Sequence, residues 1–106
     1  MTQAELFNAL KATGYPVAYS HFSSDPSAPY LTYVFAYDGD MTADNVNYLE
    51  IGNFQVELYT ETKDLAAEKK VQEKLKELQL PYSKTEIWLK EEKLFQIIYE
   101  IQLIGG

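Results

Sequence analysis

The chain has 106 residues, 46% of them hydrophobic and 14% aromatic, which is enough for one core and too little for two. It contains no cysteine, so disulfides, thiolate catalysis and cysteine-held metal are excluded and the composition suits a reducing compartment. A formal charge of −7 and a pI near 4.6 disfavour contact with phosphate backbones, and so direct nucleic-acid binding, and equally with anionic membrane surfaces. Plain solubility accounts for such a charge, and so does an acidic face that meets a basic partner.

At the N-terminus no basic start precedes an apolar run, so no signal peptide is expected. No apolar stretch approaches the ~20 residues that cross a bilayer. Thr2 and Glu5 stand at capping-box spacing, and Leu6, Phe7 and Leu10 fall on one side of a helix over 3–12. Gly14 is placed to end it, and Pro16 forbids its continuation. Residues 17–22 read as a strand, 23–29 as a turn-rich break, and 30–37 as a strong strand, so the two strands are expected to pair as an antiparallel hairpin.

Residues 38–45 are the most loop-like in the chain. Strand character returns over 48–60, where Phe54, Val56 and Leu58 alternate with Gln55, Glu57 and Tyr59. Gly52 predicts a bulge or bend inside that one long strand. Asp64 then offers an N-cap to a helix over 65–79. Its apolar stripe is Ala67, Val71, Leu75 and Leu78, with Glu68 among the charged residues covering the rest.

Ile87 and Leu89 mark one face of a strand near 82–90, and 91–93 make the turn. Residues 94–104 form the last strand, with Phe95, Ile97, Tyr99, Ile101 and Leu103 on one face and Gln96, Glu100 and Gln102 on the other, where Ile98 is the exception among them. The order α-β-β-β-α-β-β specifies an α+β fold: a mainly antiparallel sheet with two helices packed on one face, residues 1–106 forming a single domain.

Catalytic chemistry is hard to find. His21 is the only histidine, and nothing near it in sequence supplies a nucleophile or an orienting acid. The acidic run Asp38-Gly39-Asp40, with Asp44 beyond it, resembles a calcium loop but has Ala43 where the sixth position needs glycine and Leu49 where the twelfth needs glutamate. No glycine-rich phosphate loop is present. The chain is therefore expected to be no enzyme and to use no cofactor, with a small binding module carrying a weak cation or ligand site in the 38–45 loop as the alternative. Nine tyrosines suit half-buried strand positions and protein interfaces alike. Tyr59, opposite in face to Phe54, Val56 and Leu58, is expected to be exposed or covered by another subunit. No proline interrupts the strands, so the sheet edges are expected to be open to pairing.

The segments Pro29-Tyr30-Leu31-Thr32-Tyr33, Asp44-Asn45-Val46-Asn47-Tyr48 and Gln55-Val56-Glu57-Leu58-Tyr59-Thr60 resemble the small tail-completion, head–tail joining proteins of long-tailed bacteriophages and prophages of Gram-positive bacteria. The runs Glu68-Lys69-Lys70-Val71, Pro81-Tyr82-Ser83-Lys84-Thr85-Glu86 and Gln96-Ile97-Ile98-Tyr99-Glu100-Ile101 continue the likeness over residues 28 to 103. It is a likeness of pattern, without a catalytic signature. It implies a virion structural protein of α+β fold that terminates the tail tube or joins tail to head. It also implies self-assembly into a hexameric ring, contacts with tail tube and head connector proteins, and residence in the virion and, during assembly, the host cytoplasm. The residues expected at such contacts are Asp38, Asp40, Asp44 and Asn45 in the loop, with Tyr48 and Tyr59 beyond it.

Overall fold

The structure is a computed structural model and describes residues 1–38, 41–43, 46–49 and 51–104. Helix α1 (Gln3–Lys11) starts at the expected capping box: the Glu5 amide donates to Thr2 Oγ1 at 3.1 Å, and the Thr2 amide donates to the Glu5 carboxylate at 3.2 Å. It ends at Ala12, and Gly14 takes φ +90°, a value that glycine adopts without strain. Helix α2 (Leu65–Glu77) starts where Asp64 accepts the Ala67 amide at 3.0 Å. It stops at Leu78 because Gln79 turns left-handed at φ +58°, which lets the Leu80 amide donate back to the Leu75 carbonyl.

Five strands form the main sheet: β1 (Val17–Tyr19), β2 (Tyr30–Asp38), β5 (Ile51–Thr60), β6 (Ser83–Leu89) and β7 (Leu94–Ile104), in the order β1-β2-β5-β7-β6. All neighbours are antiparallel except β1 and β2, so the expected hairpin of 17–22 with 30–37 is corrected to a parallel pair. Ser20, at φ +67°, turns the chain out of the strand after three residues, and its amide still donates to the Tyr33 carbonyl. The Phe22 ring then meets Tyr30 edge-on at 5.5 Å as residues 20–29 carry the chain back to the start of β2, where the Leu31 amide donates to the Pro16 carbonyl. A parallel pair needs such a returning connection, and the turn-rich segment supplies it.

The region expected as a loop contains one short strand, β3 (Met41–Ala43), which pairs antiparallel with β4 (Val46–Leu49) just after it as a separate two-stranded sheet. Residues 48–60 are thus two strands, and the expected bulge at Gly52 is absent: Gly52 pairs in register with Asp38 and Leu103. The irregularity lies across from it in β2, between Phe35 and Tyr37. Gly52 answers to packing. A Cβ there would stand 2.8 Å from Phe54 Cε1, and the Phe54 ring meets Phe35 at 5.5 Å between centroids. Gly52→Ala is expected to force that ring aside and cost about 1–2 kcal/mol, measurable by denaturant unfolding.

Alternation places Leu31 and Tyr33 of β2, Phe54, Val56 and Leu58 of β5, and Ile97, Tyr99, Ile101 and Leu103 of β7 on one face. There they form a single core with Leu6, Leu10, Ala67, Val71 and Leu75 of the two helices. In β6, Ile87 and Leu89 share a face as expected, and that face is the helix-free one: Ile87 is 40% exposed and pairs with Gln96, while the positions facing the helices are Lys84, Glu86 and Trp88. Glu68, expected on the outer surface of α2, is corrected to a buried position, only 2% exposed. The two placements have one cause. Lys63 Nζ lies 2.6 Å from Glu68 Oε2 and 2.5 Å from Glu86 Oε1, and Lys84 Nζ approaches Glu68 Oε1 to 2.5 Å off the hydrogen-bonding direction, as an ion pair. Charge pairing, in place of apolar packing, joins the start of α2 to β6.

Candidate functional site

With both helices on one face, the other face of the sheet is built from strands alone, chiefly β2, β5, β7 and β6, with Ala18 of β1 beside Thr32 at its margin. Register lays its side chains in rows. One row reads Tyr30, Tyr59, Gln96, Ile87; the next Thr32, Glu57, Ile98, Thr85; the third Val34, Gln55, Glu100, Ser83. The face is therefore mixed: aromatic and aliphatic side chains carry a line of hydrogen-bonding groups across its middle.

That line is a connected network. Thr32 Oγ1 donates to Glu57 Oε1 at 2.9 Å, and Gln96 Nε2 donates at 2.9 Å both to Glu57 Oε2 and to the Tyr59 hydroxyl. Tyr59 stacks on Tyr30 with centroids 4.9 Å apart and 20° between planes. Tyr30 is 5% exposed because Phe22, from the returning segment, closes over its edge. Burial pushes the Glu57 carboxyl above the ordinary carboxylate range against the opposing effect of the Thr32 hydrogen bond. Burial, then the nearby Glu57 charge, raises the Tyr59 phenol, and burial with Asp25 raises that of Tyr30.

Charge is distributed unevenly along the chain. Between Lys11 and Lys63 the sequence has no lysine or arginine and seven acids: Asp25, Asp38, Asp40, Asp44, Glu50, Glu57 and Glu61. The other nine acids are balanced by all nine lysines, so the whole net charge of −7 belongs to this stretch. Every ion pair among the described residues belongs to α2, β6 or Lys63.

The edges of the sheet differ. β1 is three residues long. β6 is exposed along almost its whole length, and β7 continues past it, since Ser83 pairs with Glu100 and Ile101 to Ile104 lie beyond. Beside that overhang an open groove of about 720 Å³ runs past Leu80, Pro81, Tyr82 and Ile104.

Of the residues expected at contacts, Asp40, Asp44 and Asn45 lie outside the described residues. Asp38 ends β2, and Tyr48 lies in β4. Tyr59 sits on the helix-free face as alternation requires, yet its own chain's Tyr30 and Gln96 hold it half-buried. Asp38 pairs with Gly52, seven residues along β5 from Tyr59; at ~3.4 Å per residue the two stand about 24 Å apart. The expected residues therefore fall at two ends of the strand. Reasoning from sequence missed Thr32, Glu57 and Gln96 as a unit. Each stands on the polar side of an alternating strand, and only the register between strands brings them together.

His21 is exposed, with Nδ1 3.3 Å from Ser20 Oγ and no carboxylate among the described residues paired with it. Among the described residues no group of three or more histidine or acidic side chains could hold a metal ion, and no helix is long and apolar enough to cross a membrane. The alternative cation site in the 38–45 loop falls largely outside the described residues.

No family model matches the chain, and no curated protein matches it. Solved structures do. A chain of the virion of a native gene transfer agent (GTA) particle superposes with a TM-score of 0.66 at 14% identity, over 97% of this chain and 94% of that one. A second solved protein superposes with a TM-score of 0.62 at 17% identity, over 94% of this chain and 86% of that one. At such identities the likeness is one of fold.

Proposed function

We propose that the chain is a structural subunit of a phage-type virion, one that closes the tail tube or joins tail to head through protein–protein contacts and performs no catalysis. The observation that carries this reading is the end-to-end fold likeness to a gene transfer agent virion chain. The sequence resemblance to tail-completion proteins supports it from a separate direction. The helix-free face, with its tyrosines and exposed Ile87, supplies the contact surface, and the overhang of β7 beyond the end of β6 supplies a second one. The partners are further copies of the chain in a closed ring, a hexamer by the resemblance, together with tail tube and head connector proteins. Assembly takes place in the host cytoplasm and ends in the virion.

Mixing the purified protein with tail tubes and imaging by electron microscopy tests the reading, alongside native mass measurement over a concentration series. Density capping tube ends, with a closed ring formed alone or on the tube, is the expected result. Bare tube ends together with a monomer at every concentration would overturn it.

A further inference from the structure

We propose that Glu57, with Tyr30 and Tyr59 beside it, seats an arginine side chain presented by a different protein of the assembly. The proposal deepens the reading of the helix-free face as a contact surface and rests on it.

Among the described residues the Glu57 carboxylate has two hydrogen-bond partners, and both are neutral: the Thr32 hydroxyl on one oxygen and the Gln96 amide on the other. No lysine pairs with it, since the ion pairs of the described residues lie with α2, β6 and Lys63. A carboxylate offers about four acceptor directions, so each Glu57 oxygen keeps one after its internal bond is made. Two parallel acceptors a carboxylate's width apart match the fork of a guanidinium. Thr32 is buried, and Gln96 is tied to Tyr59 as well, so the carboxylate is held in place before any partner arrives.

The surroundings favour the same ligand. Tyr59, half-buried and backed by the stacked ring of the buried Tyr30, stands directly beside the carboxylate in the next row of the face. Aromatic faces attract cations, and guanidinium, planar and weakly hydrated, gains most from lying against them. A half-buried carboxylate without a counter-charge is costly to the isolated domain, and a cation seated over it removes that cost. The charge of Asp25, which acts on both Tyr30 and Tyr59, adds to the field that draws a cation in.

The chain's own composition identifies the kind of partner. The charged basic residues of these 106 are all lysines, so this domain of a second copy presents no arginine to the face. The occupant belongs to another polypeptide, and the site gives the heterologous contact a chemistry separate from pairing between copies.

The test is a carbon-detected NMR titration of the labelled protein with Nα-acetyl-arginine amide, repeated with Nα-acetyl-lysine amide. Saturable movement of the Glu57 carboxyl carbon, the Gln96 side-chain amide and the Tyr59 ring is expected with the arginine probe, with about tenfold weaker binding of the lysine probe. Glu57→Gln abolishes the response, and Glu100→Gln, which removes one charge from the same face, leaves it intact. Tyr59→Leu, which keeps the carboxylate, weakens arginine binding several-fold and lysine binding little. No response at Glu57, equal affinity for the two probes, or a response that survives Glu57→Gln overturns the proposal. Capping of tube ends by the wild-type protein, read separately, would in that case still stand, so failure of the arginine seat is distinguishable from failure of the assembly reading.

Discussion

Leu75→Ala is expected to destabilise the isolated domain by roughly 2–5 kcal/mol, read as a lowered denaturant midpoint at unchanged slope. Leu75 is fully buried at the third position of the α2 stripe and belongs to the same cluster as Val71, Ile97 and Tyr99. The site has little freedom to collapse. α2 is pinned at its start by the Asp64 cap and the Glu68 ion pairs, and after its end by the bond from the Leu80 amide to the Leu75 carbonyl itself. Tyr99 adds a further tie across the core, donating to Gln72 Oε1 at 3.0 Å. Held at both ends, the helix cannot settle into the vacated space, so most of the cavity remains. A loss under ~0.5 kcal/mol would mean that this face does not pack against the sheet.

Removing both lysines from the buried carboxylate, as Lys63→Ala with Lys84→Ala, is expected to cost about 3 kcal/mol near neutral pH. Glu68→Gln is expected to cost less, about 1 kcal/mol, and the asymmetry follows from exposure. Loss of Glu68 leaves two ammonium groups that are 43% and 37% exposed and remain hydrated, whereas loss of the lysines strands a carboxylate that is almost wholly buried. Burial alone would raise the Glu68 carboxyl, but the ammonium groups of Lys63 and Lys84 outweigh it and hold the group below the usual value of 4.5. A carboxyl depressed in the folded state contributes stability above its unfolded pKa and loses it as pH falls through the folded one. The gap between the wild-type protein and the double variant should therefore be full at neutral pH and shrink as pH falls, first as the stranded carboxyl of the variant, raised by burial, takes its proton above 4.5, and then through the lowered wild-type value. Glu57, raised by burial, acts with the opposite sign: its contribution is complete below 4.5 and is lost as pH rises through its higher folded value. Unfolding midpoints followed from pH 7 to pH 3 read both effects, and a gap that stays constant over that span would count against the ion-pair account.

Much of the fold was legible because its signals are local. The Thr2–Glu5 capping box, the Asp64 cap, the stripe of α2 and the alternation of β5 and β7 all act within a few residues, and the structure holds each of them. What escaped depends on pairs distant in sequence. Nothing in residues 17–22 reveals that Ser20 turns the chain aside and that the strand runs parallel to its neighbour. Gly52 looks like a bulge until the Phe54 ring that occupies its space is seen. Ile87 and Leu89 gave β6 an apolar face, but the helix above it presents Glu68, so charged side chains point inward there. The candidate site was half legible for the same reason: alternation placed Tyr59 and Glu57 on the outer face, while the union of Thr32, Glu57 and Gln96 exists only through register across three strands.

The inward-pointing Lys84 and Glu86 have a further consequence. Charged side chains turned toward the core are one of the ways an edge strand discourages unwanted pairing, because an incoming strand would have to tolerate them. Here these side chains are satisfied by Glu68 and Lys63, which belong to α2 and the segment just before it. The resistance of the β6 edge to aggregation is therefore a property of helix docking more than of the strand's own sequence. When the first turn of α2 frays, the edge loses its guard while the strand itself stays intact.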